Sequence, residues 1–198
     1  MGLDYIISLP GLLLAIVVHE FSHGLAAYVL GDGTAKNSGR LTLNHLKHID
    51  IIGFIFLLIF KFGWAKPVPI NPINFKSRKR DTIIVSLAGP ISNFILAIMI
   101  SLLLSTGNIN NYIIIQMMII ALWYNLMLGV FNMLPFPPLD GSKILASLLP
   151  VKYEYKFYKY ERYLYVILII FIATNLVDEI LRPLIELMLN LLINIILR

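Results

Sequence analysis

YIISLPGLLLAIVVHEFSHGLAAYVL, residues 5–30, is an apolar run that contains His19-Glu20-Phe21-Ser22-His23. About 20 apolar residues cross the hydrocarbon core of a bilayer as a helix, so the run reads as a spanning helix. On a helix, positions i and i+4 share a face, and His19 and His23 can therefore offer two imidazole nitrogens to one Zn²⁺. Glu20, one step round, can take a proton from a metal-bound water. An ionisable group within a span costs about 2.5–3.5 kcal/mol or more, so such a cluster points to function rather than packing. In a soluble chain this pattern suggests an ordinary zinc hydrolase. Inside a spanning helix it suggests hydrolysis within the membrane.

The composition agrees with a membrane setting. Of 198 residues, 59% are hydrophobic and only 14% charged, with a mean hydropathy of +0.83, where soluble domains carry roughly 25% charged residues. The length suits one integral-membrane domain over residues 1–198, without room for a separate soluble module. Cys is absent, which excludes disulfides, thiol catalysis and thiolate ligands. Any metal must be held by His, Asp, Glu or water. The first apolar run lacks a basic n-region and a small-residue cleavage site, so it reads as a retained helix rather than a signal peptide. The net charge of +5 does not indicate nucleic acid, because the basic residues fall in membrane-flanking loops.

Residues 83–105 and 112–134 are further spans by length. Residues 163–177 form a slightly short fourth, and 183–197 a fifth apolar helix with Pro183 in a favoured first-turn position. Residues 31–50, 61–81 and 140–162 carry three, six and five of the 16 Lys and Arg, and residues 106–111 carry none. Basic loops stay in the cytoplasm. The apolar run 51–62 must then enter and leave on one side, as a re-entrant or interfacial hairpin. Two stretches read as extended: Gly39-Arg40-Leu41-Thr42-Leu43-Asn44, which alternates, and Lys66-Pro67-Val68-Pro69-Ile70, whose prolines confine it to a sheet edge. The expected fold is all-α and polytopic: a bundle of about five to six helices with a re-entrant/β-hairpin element around a buried zinc site. The expected location is the cell membrane, with the active site toward the cytoplasmic side.

Zinc hydrolases hold the metal with three protein ligands and leave one position for water. Asp140 stands out as a third ligand. It follows the proline-rich break Asn132-Met133-Leu134-Pro135-Phe136-Pro137-Pro138-Leu139, and Gly141 permits a tight turn after it. Irregular backbone at membrane depth is tolerated where it lines a cavity or is buried in protein. Taken alone, Asp140 also reads as a turn or cap aspartate, and Glu154, Glu161 and Glu186 are alternative ligands. Asn132 reads equally as a substrate contact or as repair of backbone freed by the prolines. Asn93 reads as an interhelical hydrogen bond with a weaker substrate-binding alternative, and Gly89-Pro90 as a kink. His45 and His48 read as loop residues.

HEFSH together with NMLPFPPLDG resembles the site-2 protease family of intramembrane zinc metalloproteases. GRLTLN, LKHID, FGWAKPVPIN and AGPISN are similar to its small bacterial branch without a PDZ domain. The resemblance runs from the first helix to Leu149. His45 and Ile51 stand where that branch would have proline, which touches only loop geometry. The resemblance implies that His19, His23 and Asp140 bind Zn²⁺, that Glu20 is catalytic base and acid, and that Asn132 helps hold substrate or the developing oxyanion. It also implies a helical bundle reached by water from the cytoplasm, with transmembrane proteins as substrates.

A peptide bond inside a helix is shielded, so the substrate must be unwound. Residues 39–44 or 66–71 could capture the freed backbone by strand addition. Gating would come from the helices or from a regulatory membrane partner. The principal alternative is a membrane zinc transporter or sensor without hydrolysis, which would not need Glu20. A membrane zincin with a later Glu ligand and a silent scaffold are the remaining classes.

Overall fold

Long aliphatic runs interrupted by Asn and Pro set the helix boundaries. The computed structural model describes the backbone of residues 2–53, 55 and 65–196, and the side chains of 7–53, 55 and 65–193. The long helices are α1 (Gly2–Val29), α4 (Arg78–Ser105), α5 (Tyr112–Asn132) and α9 (Leu176–Ile196). Short ones join them: α2 (Thr34–Asn37), α3 (His45–His48), α6 (Asp140–Leu148), α7 (Val151–Lys159) and α8 (Glu161–Ala173), with a 3₁₀ turn at Pro72–Asn74. Asn111 starts α5 by accepting from the amides of Ile113 and Ile114 at 2.9 and 3.2 Å, satisfying donors that a helix start leaves unpaired. Pro135, Pro137 and Pro138 end it.

Helices α1, α4 and α5 pack against one another in every pairing and form the centre of the molecule. Small residues let them approach. A Cβ on Gly11 would lie 2.8 Å from the Ala121 Cα, and one on Gly129 would lie 2.6 Å from the Phe94 ring. Lipid supplies little hydrophobic drive between helices, so close van der Waals fit holds them. Helix α9 closes the group through Val177, Leu181 and Ile185, which join Leu126, Val130 and Leu168 in one buried cluster. The opposite face of α4 exposes Ile84, Ile91, Ile95, Ile98 and Leu102. That is a continuous apolar stripe at helical spacing, suited to lipid.

Among the described residues, three helices are long and apolar enough to cross a membrane: Ile7–Val29, Arg78–Ser105 and Tyr112–Asn132. The C-terminal part departs from the expected fourth span and separate fifth apolar helix. Helix α8 and residues Leu176–Ile193 of α9 meet at a 76° bend and together make at most one further, broken span. Asn175 at the break has φ 59°, a left-handed conformation that asparagine tolerates. Pro183 lies inside α9 rather than in its first turn.

The expected β-hairpin is also corrected. Among the described residues there is no strand, only an isolated antiparallel bridge between Ile49 and Ala65. Residues 39–44 turn locally, because the Thr42 amide bonds to the Arg40 carbonyl at 3.0 Å and Asn44 caps α3. Residues 66–71 are extended, but every amide except that of Ile70 is absent or already committed. Pro67 and Pro69 have none; Lys66 donates to His48 O at 2.9 Å, Val68 to Glu20 at 2.7 Å and Asn71 to Asp32 at 2.7 Å. The expected re-entrant element at 51–62 lies largely outside the described residues; 51–53 and 55 are helical.

Asp32 anchors this extended segment. Fully buried, it accepts from the Asn71 amide, the Asn74 side chain, and the amide and hydroxyl of Thr34. Burial opposes its charge, but these four donors hold its carboxyl below the usual range. A depressed folded pKa contributes stability that is complete above the unfolded value and lost as pH falls through the folded one. Asp32→Asn should therefore flatten the acid side of a plot of melting temperature against pH, as scanned in detergent. An acid limb identical to wild type would refute the anchor. Gly11→Val should lower the melting midpoint, since overpacking costs about 1–3 kcal/mol, and an unchanged midpoint would refute the close α1–α5 crossing.

Candidate metal centre

The helical repeat of α1 places His19 and His23 on one face, turned toward α4 and the start of α6. Both are buried, 4% and 5% exposed, as is Asp140 at 3%. Asp140 Oδ2 lies 3.1 Å from His19 Nε2 and 2.9 Å from His23 Nε2, and the two Nε2 atoms are 3.0 Å apart. Among the described residues this is the one group of three His, Asp or Glu side chains whose ligand atoms converge.

The other ring nitrogens decide what these atoms can do. His23 Nδ1 lies 2.7 Å from the Val85 carbonyl. A carbonyl only accepts, so Nδ1 carries the proton. His19 Nδ1 lies 2.7 Å from Asn93 Oδ1. The orientation of Asn93 follows from its own partners: its NH₂ group donates to the Ala15 carbonyl at 3.0 Å and to Asn125 Oδ1 at 2.9 Å. Asn125 in turn donates to the Ala121 carbonyl at 2.8 Å. The chain of bonds has a single consistent direction and places the His19 proton on Nδ1. With the proton on Nδ1, the neutral form of each imidazole turns its Nε2 lone pair toward the Asp140 carboxylate oxygen. In that form three acceptors surround one point and suit a cation.

The set fits zinc. Two imidazoles and a carboxylate, without Cys, are ligands of catalytic zinc sites, which keep a position open. Ligand bonds of about 2.0–2.1 Å put tetrahedral neighbours about 3.3–3.4 Å apart, close to the observed spacing. Outer hydrogen bonds to both histidines are the usual support of such ligands. Lys143 Nζ takes the second carboxylate oxygen, Asp140 Oδ1, at 2.9 Å, leaving Oδ2 to face the histidines.

Glycines make the space. A Cβ on Gly89 would lie 2.4 Å from His23 Nε2 and 2.7 Å from His19 Cε1, so any other residue there would occupy the ligand pocket. Gly89 is thus a clearance for the imidazoles, where Gly89-Pro90 reads as a kink in the sequence. A Cβ on Gly141 would lie 2.3 Å from the Met133 carbonyl. Gly141 lies within α6 without a positive φ, so close approach, not a tight turn, is what requires glycine.

Glu20 Oε2 accepts from the Val68 amide at 2.7 Å. A cavity of about 210 Å³ opens beside His23 and Asp140, with an apolar wall of Val68, Ile70, Phe75 and Val85 and a polar one of Thr82, Ser86 and Lys143. Asn93 is spent on His19, Ala15 and Asn125. Asn132 donates to the Leu128 carbonyl at 3.0 Å, within its own helix. Glu154 pairs with Arg78 at 2.7 Å and Lys79 at 3.2 Å, which hold its carboxyl below the ordinary range. Glu161 and Glu186 are not part of the cluster. Asn125, Lys143 and Gly89 are contributors absent from the sequence expectations. Asn125 carried a signal, being an amide in mid-span.

Asn93→Ala removes the acceptor that sets the His19 tautomer. It should weaken metal affinity about 10- to 100-fold, measured by competition with a chromogenic chelator. Wild-type affinity would refute this role.

Comparison with known proteins follows the same lines. Residues 100–174 match the model of Peptidase family M50. The chain is 38% identical over 189 residues to "Putative zinc metalloprotease YwhC" of Bacillus subtilis, covering 88% of this chain and 84% of that one. It is 31% identical over 144 residues to "Putative zinc metalloprotease Rip2" of Mycolicibacterium smegmatis, covering 69% and 55%. A third relative, "Putative zinc metalloprotease MJ0611" of Methanocaldococcus jannaschii, is 31% identical over 146 residues, covering 72% and 71%. No solved structure gives a significant match. With most of both chains aligned to the Bacillus relative, and with the HExxH and Asp-Gly elements meeting at one centre, the protein belongs to Peptidase family M50, the site-2 protease family.

Proposed function

We propose that this zinc-dependent metalloprotease is an intramembrane endopeptidase that cuts transmembrane segments of membrane proteins. One observation carries the reading: His19, His23 and Asp140 converge at 2.9–3.1 Å, the two histidines on a helix of membrane-spanning length and Asp140 at the start of the short α6, with Glu20 next to the first ligand. Zn²⁺ bound there would supply Lewis-acid polarisation of a carbonyl and acidification of water. Every other part falls to the chain. His19, His23 and Asp140 hold the ion. Glu20 takes the proton of the attacking water on its carboxylate and passes it to the leaving amide nitrogen. Its Oε2 is occupied by the Val68 amide, which leaves Oε1 for that proton. Asn132 is assigned a contact to the substrate backbone. Asn93 supports His19 instead.

Residues 1–198 act as one integral-membrane domain, multi-pass in the cell membrane. The basic loops support a cytoplasmic placement of the metal end. His19–His23 near the end of α1, Gly89 early in α4, and Asp140 just after α5 then lie at one depth. The cavity with Lys143, Thr82 and Ser86 on its wall supports water entry from that side. Substrates would be unwound transmembrane helices, with access governed by the helices or a regulatory membrane partner.

Glu20→Gln should abolish cleavage of a transmembrane reporter while zinc content stays at the wild-type level. Asp140→Ala should lose the zinc. Full function of Glu20→Gln would instead indicate a transporter or sensor, and full occupancy of Asp140→Ala would remove that residue from the ligand set. Comparison of membrane fragments from wild-type and Glu20→Gln cells would identify the substrates.

A further inference from the structure

Arg40 is nearly buried, 8% exposed, and pairs with no described carboxylate. Its Nη2 donates to two backbone carbonyls, Lys66 O at 2.7 Å and Pro67 O at 3.1 Å. A buried guanidinium without a counter-charge is costly, so its placement requires a reason. The Pro67 carbonyl belongs to the same peptide unit as the Val68 N–H, which donates to Glu20 Oε2 at 2.7 Å. A positive guanidinium therefore pulls on one end of a peptide whose other end donates to a carboxylate. Hydrogen bonds in such a chain polarise one another, and the peptide bridges the two charges as an extended ion pair.

The surroundings hold this bridge in one position. The Arg40 amide is tied to Ala35 O at 2.9 Å and the Lys66 amide to His48 O at 2.9 Å. His48, itself 1% exposed, lies with Nε2 2.7 Å from the Thr42 carbonyl. Pro67 and Pro69 restrict the backbone on both sides of Val68. The Val68 side chain packs toward Gly24 of α1, where a Cβ would lie 3.2 Å from it.

We propose that Arg40 is a positioning residue for Glu20, acting through the Pro67–Val68 peptide. It fixes one oxygen of the carboxylate so that the other points toward the attacking water. The role rests on the assignment of Glu20 as general base.

The test uses the full chain in detergent with a reporter bearing a transmembrane helix that wild type cleaves. Arg40→Gln should lower kcat about tenfold or more, a part of the roughly 10²–10⁴-fold that a positioned base contributes, with KM and bound zinc unchanged. Arg40→Lys keeps a cation and should recover part of the loss. Val68→Pro removes the N–H of the bridging peptide together with the Val68 side chain on the cavity wall, and should lower kcat at least as far as Arg40→Gln does. Because both act through one peptide, the double variant should be no slower than the slower single variant. Unchanged kcat, a rise in KM alone, loss of zinc, or multiplicative defects would overturn the proposal. If Arg40→Gln does not accumulate folded, Arg40→Lys and Val68→Pro decide by the same criteria. Glu20→Gln run beside them separates the outcomes, since wild-type cleavage by that variant overturns the assignment of the base instead.

Discussion

The structure depends on a requirement imposed by lipid: each polar group placed within the helices must have a partner, because water cannot serve it. The bond chain Asn125–Asn93–His19 meets that requirement and has only one direction. Its consequence is chemical. By fixing protons on the outer nitrogens, it leaves the inner ones as lone pairs facing Asp140. The same bonds that allow an amide and an imidazole to lie between helices thus prepare a cation site.

The bundle serves this centre by letting backbones come close. Gly11 admits α5 against α1, Gly129 admits Phe94, Gly89 admits both imidazoles and Gly141 admits the Met133 carbonyl. These contacts let α1, α4, α5 and α6 approach closely around the ligands. Without them the three ligands would lie on elements of the right order but at the wrong spacing. Prolines complete the arrangement, since the broken backbone at 133–139 brings Asp140 to the first turn of a new helix, where a carboxylate is favourable.

What was legible in the sequence is what short-range rules govern. The i, i+4 spacing of His19 and His23, the three long apolar runs and the proline break before Asp140 each have a local cause, and each is found where expected. The C-terminal helices depend on non-local packing: Val177, Leu181 and Ile185 seal against α5, α8 and α9 meet at a 76° bend, and Pro183 lies in a helix interior. The alternation in residues 39–44 suggests a strand, but period-2 hydrophobicity does not distinguish a strand from a local turn, here one that half-buries Leu41 and leaves Leu43 exposed. The support of His19 by Asn93 and the clearance at Gly89 join residues far apart in sequence, where a single chain offers only composition as a guide.

Residues 66–71 show how this affects substrate handling. An extended segment near a protease centre suggests a template for an unwound substrate strand, since main-chain pairing gives affinity and side-chain pockets give selectivity. Here nearly every amide of the segment is absent or committed, to His48, Glu20 and Asp32, and Arg40 takes two of its carbonyls. Only Ile70 retains an amide with no described partner. Full ladder pairing is therefore closed to it. The segment instead acts as a rigid wall: it presents Val68 and Ile70 to the cavity beside His23 and gives one peptide to Glu20. If the chain cuts transmembrane segments as proposed, recognition on this side would fall to apolar contact within the cavity, a term that tolerates many sequences, and cleavage position would follow from where the substrate helix unwinds rather than from a fixed motif.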